Sequence, residues 1–128
     1  MKQNFICSVL ICLFVFLCNT LKAQNQSDSI VVSTEGVSVG AILKADIVKN
    51  PYIICSEKDI KIIKYSLSFH DFTGNLIQFN EEGNKLSDLI IREIQALDSG
   101  ELLSIKVNAV NKKNGKTYDL FTRLTLMN

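Results

Sequence analysis

Three side chains in this sequence have the strongest potential for chemistry. Cys55 could act as a nucleophile if a base removed its proton, and His70, the only histidine, is followed by Asp71. The spacing of these residues matches no known local signature of a thiol enzyme, and such signatures do not transfer between families. Cys55 also follows two isoleucines, a setting in which a buried and inert thiol is commoner. A triad of Cys55, His70 and Asp71 is therefore kept as an alternative.

No other motif in the sequence indicates a catalytic, metal or cofactor site more strongly. A metal site usually needs three or four ligands from histidine, cysteine and carboxylate side chains, and His70 and Cys55 have no companions at ligand spacing. The adjacent carboxylates Glu81 and Glu82 cannot converge on one atom, so solvation explains them. The sequence has no glycine-rich phosphate loop and no CxxC motif. We assign no catalytic, cofactor-binding or metal-binding residue, and we expect no cofactor.

The first 23 residues are typical of a secretory signal peptide. Lys2 supplies a positive start, and an apolar run of 14 residues extends from Phe5 to Cys18. A short polar stretch then ends at Ala23, after which we predict cleavage, so that the mature chain starts at Gln24. The protein is thus expected to be exported to the periplasm or cell envelope.

The leader allows two other interpretations, a membrane anchor and a lipoprotein signal. A membrane anchor needs about 20 apolar residues, which is more than this run provides. The mature chain is therefore expected to have no transmembrane helix. A lipoprotein would carry its lipid on Cys18, but such signals have a small residue before the cysteine, and here it is Leu17. A lipid anchor at Cys18 stays an alternative to simple cleavage.

Length, cysteine content and charge narrow the class of protein. The chain has 128 residues, enough for one domain, and three of its four cysteines lie in the leader. The remaining Cys55 cannot form an intramolecular disulfide, so the 105 mature residues must be held together by their core. The mature chain has 12 basic and 13 acidic residues, a formal charge of −1. This balance argues against binding to nucleic acid or electrostatic attachment to an anionic membrane.

Strand patterns dominate the first half of the mature chain. Residues 24–35 are predicted to be a flexible tail and residues 36–128 a single domain, although Ile30-Val31-Val32 is a short β-prone run within the tail. Residues 41–48 are apolar enough for a strand, which the only proline, Pro51, would close. Apolar residues alternate with polar ones from Ile63 to Phe69, which predicts a half-buried strand. The alternation changes parity at Ile62-Ile63, which predicts a β-bulge there.

One helix and a hairpin are predicted in the second half. Ser87 is a suitable N-cap for a helix over residues 88–97, and Gly100 follows its end. Alternating apolar residues then lead to Asn114-Gly115, a strong hairpin turn signal, and to a final strand. The prediction is a mainly β fold with one α-helix, either an antiparallel β-sandwich or a sheet with the helix packed on it.

The order of these caps and turns carries a family resemblance. It lies in residues 83–120, which read GNKLSDLIIREIQALDSGELLSIKVNAVNKKNGKTYDL. This run resembles the C-terminal domain of GldM-type gliding-motility proteins, and the similarity extends over residues 40–128. The resemblance implies an extracytoplasmic β domain that serves binding and assembly in type IX secretion, without catalytic activity. Full-length family members also have a membrane helix and further domains, whereas this sequence predicts only a leader and the terminal domain.

These observations together favour an exported, non-enzymatic protein-interaction module of the bacterial cell envelope. Its expected partner is another envelope protein. Two alternatives remain open, namely a small exported enzyme that uses Cys55 and His70, and a carrier of a small ligand.

Overall fold

The structure, a computed structural model, describes residues 29–36 and 38–128. The predicted leader, its cleavage site after Ala23, the alternative lipid site at Cys18 and tail residues 24–28 all lie outside the described residues. The elements in chain order are β1 (Ile30–Val32), β2 (Ser38–Leu43), α1 (Lys44–Lys49), β3 (Ile53–Cys55), β4 (Ile60–His70), β5 (Leu76–Glu82), α2 (Asp88–Ala96), β6 (Leu102–Asn111) and β7 (Thr117–Met127).

Five strands form one mixed sheet in the order β2-β7-β6-β4-β5. The strands β7, β6, β4 and β5 are antiparallel to their neighbours, while β2 runs parallel to β7. β1 and β3 form a separate parallel pair. This pair and the two helices cover one face of the five-stranded sheet, because their buried side chains form one core with those of the sheet. The opposite face is open to solvent, as antiparallel sheets often are.

The predicted mainly β fold, with a helix packed on the sheet, is confirmed. The predicted strand over residues 41–48 is wrong in its second half, because β2 ends at Leu43 and α1 begins at Lys44. Asp46 in the first turn and Lys49 in the last turn match the helix dipole, and Ile47 is the buried residue of this helix. A single buried side chain in six residues is too weak a period to reveal a helix from sequence.

The core also begins earlier than expected. Residues 30–32 belong to the predicted tail over residues 24–35, yet they form β1 and pair with β3 in the register Ile30↔Ile53. Ile30 and Val32 are fully buried in the core. The β-prone run Ile30–Val32 is therefore a strand of the domain and not part of the tail, and its pairing with β3 could not be predicted from three residues.

Two local predictions in the sheet are confirmed. The register between β4 and β6 shifts between Ile62 and Lys64, which is the predicted bulge. The hairpin between β6 and β7 turns at Asn114-Gly115, where Gly115 has a φ of +72° that favours glycine. The loop is closed by the Asn111 N–H, which donates to the carbonyl of Lys116 at 2.8 Å.

Helix α2 spans nine residues and buries Ile90 and Ile94. Ser87 occupies the N-cap position as predicted, but its hydroxyl makes no capping bond to the helix backbone. It donates instead to Glu81 Oε1 at 2.6 Å, so it joins the helix start to β5. At the other end, the Lys44 ammonium donates to the carbonyl of Leu97, where a positive charge complements the helix dipole.

Candidate functional site

The structure does not bring the predicted triad together. His70 is exposed at the end of β4, and Asp71 follows it. Cys55 lies near the start of the same strand, in a shallow depression that it shares with Ile60. A strand rises about 3.3 Å per residue, so the ends of the 11-residue β4 lie roughly 30 Å apart. No proton transfer between Cys55 and His70 is possible over this distance.

Cys55 also lacks the surroundings of a reactive thiol. Its S–H group donates to Glu57 Oε2 at 2.9 Å. Burial, and then this hydrogen bond to a carboxylate, raise the pKa of the Cys55 thiol. Because the thiolate is the nucleophilic form, both effects disfavour the reactive state.

Glu57 is the acceptor in a small cluster around this thiol. Its Oε1 accepts from the Thr34 hydroxyl at 2.7 Å, while Oε2 accepts from Cys55. The bond from Cys55, followed by those from Thr34 and Ser56, lowers the pKa of Glu57 to about 2. The cluster therefore ties the loop after β1 to the loop after β3, which is a structural task.

Glu57→Gln is expected to lower the free energy of unfolding at neutral pH but not near pH 2. The pKa of Glu57 in the folded state lies below its ordinary value of 4.5, so its ionised form stabilises the folded state above that pH. This contribution disappears as the pH falls through about 2. Urea unfolding of both proteins across this window measures the difference, with Glu35→Gln as an exposed control. A difference that stays constant with pH would contradict the account.

The described residues contain no group of three or more histidine, cysteine, aspartate or glutamate side chains that could hold a metal ion. Two surface features of the described residues lie on the open face of the five-stranded sheet. One is polar and lies towards β5, and the other is apolar and lies at β2.

The polar feature is a groove of about 860 Å³. Strand register places its side chains in cross-strand rows, one of which is Asn80–Ser66–Lys106–Phe121. The neighbouring row is Glu82–Lys64–Asn108–Asp119, and Gln78–Ser68 extends the groove on the other side. We call these ten side chains the polar groove.

The apolar feature lies at the opposite end of the open face. It consists of side chains from β2, β7 and β6 that are all exposed, and we call it the apolar patch: Val39, Ala41, Leu43, Leu102 and Met127. Val39 is 77% exposed, and Leu43 lies directly beside Met127 in the register. A cluster of exposed apolar side chains on one face is a mark of an interaction surface.

The patch adjoins an unpaired sheet edge. β2 pairs only with β7 among the described strands, so its other edge presents free backbone N–H and C=O groups. Natural edge strands are usually protected by charged residues or proline, but β2 reads SVGAIL and has neither. The sequence shows that this run is uncharged, but it does not show that the run lies at a sheet edge. That position depends on long-range strand pairing, and the site could therefore not be predicted.

Comparisons with known proteins give no family. No protein-family model matches this sequence, and no curated protein matches it. Within the part of the chain that the structure describes, no helix has both the length and the apolar character needed to cross a membrane.

Proposed function

We propose that this protein is an exported, non-enzymatic interaction module of the bacterial cell envelope, which binds another envelope protein at β2. The observation that carries the proposal is the apolar patch beside an edge strand without charge. A partner that covers the patch would remove exposed apolar area from water, which is the main driving force of most protein association.

The chemistry of β2 specifies the form of the partner. A free strand edge binds an extended segment through backbone hydrogen bonds, and side-chain pockets select alternate residues of that segment. β2 has no charged side chain to pair with a charged partner. The partner segment is therefore an extended, uncharged strand with apolar side chains on the face that continues the patch.

The neighbouring parts of this chain are poor candidates for covering the patch. Residues 24–28 are all polar and have no apolar side chain to place on Val39 or Leu43. The predicted leader contains an apolar run, but its removal after Ala23 would leave the patch to a second molecule.

The envelope location is supported by the sequence alone. The predicted signal peptide directs export, and the resemblance to the GldM-type domain favours a role in binding and assembly near the type IX secretion and gliding machinery. The separation of Cys55 from His70 supports the non-enzymatic proposal, because it removes the only candidate triad.

The test is capture of the partner from envelope extract on immobilised mature protein. Val39→Lys should reduce capture by at least about tenfold, because a charge on the edge strand must be desolvated when the partner docks. Leu76→Lys is the matched control, since Leu76 is an exposed apolar residue on β5, the opposite edge strand. The Leu76→Lys variant should capture as much of the partner as the wild type does. The Cys55→Ala and His70→Ala variants should also capture as much.

Three outcomes would overturn the proposal. If Val39→Lys and Leu76→Lys capture equally, the patch is not the docking site. If Cys55→Ala or His70→Ala abolishes the function of the protein in cells without loss of stability, the exported-enzyme alternative replaces the interaction module. If light scattering shows a wild-type dimer that Val39→Lys converts to a monomer, the patch binds a second copy instead.

A further inference from the structure

The polar groove has a shape that follows from the sizes of its side chains. The central strand β4 contributes the short side chains of Ser66 and Ser68. The flanking strands contribute longer ones, with Asn80 opposite Ser66 on one side and Lys106 opposite it on the other. Short side chains between longer ones leave a trough along β4. Its volume of about 860 Å³ is within the range of small-molecule sites.

Hydrogen bonds already order part of this surface. The Gln78 Nε2 group donates to Ser66 Oγ at 3.0 Å and to Asn80 Oδ1 at 3.2 Å. On the far side, the Asn108 amide donates to Asp119 Oδ1. Side chains that are held before binding lose less conformational entropy when a ligand arrives.

The network leaves polar atoms for a ligand. Within the described part of the chain, the Gln78 side-chain oxygen and the Asn80 side-chain N–H groups form no hydrogen bond with protein. The groove thus offers both acceptors and donors, together with serine hydroxyls that act as either. This mixture suits a ligand whose own groups both donate and accept, as hydroxyl groups do.

The charges of the groove disfavour an ionic ligand. Lys64 and Lys106 are balanced by Glu82 and Asp119, and Glu81, which also lines the groove, is balanced by Arg123 beside Phe121. The formal charge of these six side chains is therefore zero. The register places Lys64 directly beside Glu82. Charges of both signs therefore border the groove, and it has no net charge that would favour an anionic or a cationic ligand.

Phe121 adds an apolar surface to this polar setting. It is half-buried on the open face beside Lys106, and the Arg123 guanidinium lies 5.7 Å from its ring centre. The C–H face of a sugar ring is apolar while its rim is hydroxylated. Phe121 lies between Asp119 and Arg123 on β7 and beside Lys106 of β6, so a sugar unit that packs on the exposed part of the ring places its hydroxyl groups next to these polar side chains.

A peptide fits this groove less well than a sugar chain does. The centre of the groove lies over β4 and β6, whose backbone groups are paired on both sides within the sheet, and the unpaired edge of β5 lies only at its margin. A ligand there meets side chains alone, whereas extended peptides bind sheets mainly through free backbone groups at an edge.

We infer that the polar groove is a binding site for an uncharged oligosaccharide chain, with its amides and serines bonded to sugar hydroxyls and Phe121 against a ring face. The inference is independent of the partner proposed for the apolar patch. Because the groove is open along β4, the ligand is a chain of several units rather than one enclosed sugar.

The test is an NMR titration of the mature protein with two neutral probes, a hexamer of N-acetylglucosamine and a hexamer of glucose. At least one should cause saturable shifts in the amides of residues 64–68 and 104–108. Phe121→Ala should weaken that binding by about tenfold, which equals 1.4 kcal/mol. Asn80→Ala, on the exposed face of the edge strand β5, should also weaken binding of the hexamer. This second variant tests the inference if Phe121→Ala fails to fold. Thr125→Ala, on the same face outside the groove, should leave the affinity unchanged.

A polyanionic hexamer of galacturonate serves as the charge control. The inference is overturned if neither neutral hexamer shifts the groove amides, or if the polyanion shifts them as strongly as a neutral chain. It is also overturned if the shifts map to β2 rather than to β4 and β6, or if Asn80→Ala and Thr125→Ala bind equally.

Discussion

Replacing Ile94 with alanine is expected to lower the free energy of unfolding by about 2–5 kcal/mol. Ile94 is fully buried on α2, the helix that covers one face of the five-stranded sheet. Truncation removes apolar contacts and leaves a cavity, and both effects destabilise the folded state. Urea unfolding monitored by circular dichroism gives the value directly.

Leu89→Ala provides the control on the same helix. Leu89 is 47% exposed, so its replacement should change stability by only about 0.5 kcal/mol. The two variants make the same kind of change in helix propensity, and they differ mainly in burial. Equal losses in the two proteins would show that α2 does not pack on the sheet through Ile94.

The second large effect is expected at Tyr65, where two substitutions separate packing from hydrogen bonding. Tyr65 is buried in β4, and its hydroxyl lies 2.9 Å from the Lys85 carbonyl and 3.1 Å from Glu81 Oε2. Burial, and then the Glu81 carboxylate, raise the pKa of Tyr65, so the hydroxyl is a protonated donor at neutral pH.

Tyr65→Ala should cost about 3–5 kcal/mol of unfolding free energy, as truncation of a buried aromatic side chain does. Tyr65→Phe keeps the ring and should cost about 1–2 kcal/mol, because it leaves the Lys85 carbonyl and Glu81 without this donor. Urea unfolding at neutral pH measures both. If Tyr65→Phe were as stable as the wild type, the hydroxyl bonds to Glu81 and Lys85 would contribute nothing to the fold.

The parts of the fold that sequence predicted well are those with strong local signals. The bulge at Ile62-Ile63, helix α2 and the turn at Asn114-Gly115 each depend on a period or on a residue with a special backbone preference. The parts it missed depend on distant residues. Helix α1 is too short to show a period, and the β-prone run of β1 does not reveal its pairing with β3. The bond from Ser87 to Glu81 exists only because β5 returns beside the helix start.

The candidate surfaces show the same division between local and long-range information. An uncharged run such as β2 could equally be a central strand, and only its pairing with β7 alone exposes its free edge. The rows of the polar groove combine residues that are far apart in sequence, such as Asn80 and Phe121. Alternation predicts that these side chains share a face, but strand order decides which of them are neighbours.

The two surfaces of the open face have different chemical requirements. The apolar patch favours a partner that buries apolar area at a sheet edge, whereas the polar groove is built from amides, hydroxyls and balanced charges. Arg123 lies beside Val39 and over Phe121, so variants farther from it, Leu43 in the patch and Asn80 in the groove, should leave binding at the other surface intact. This independence allows a failure of the carbohydrate inference to be distinguished from a failure of the proposed protein interaction.

Hydrogen exchange of the mature protein, alone and in the complex captured from envelope extract, tests the central claim most directly. If the partner adds a strand at β2, the free amides of Ser38–Leu43 become hydrogen-bonded and their exchange should slow strongly. Exchange in β5, at the opposite edge, should stay unchanged. Protection that falls on β5, or on the segments around Cys55 and His70, while β2 exchanges as in the free protein would contradict the account.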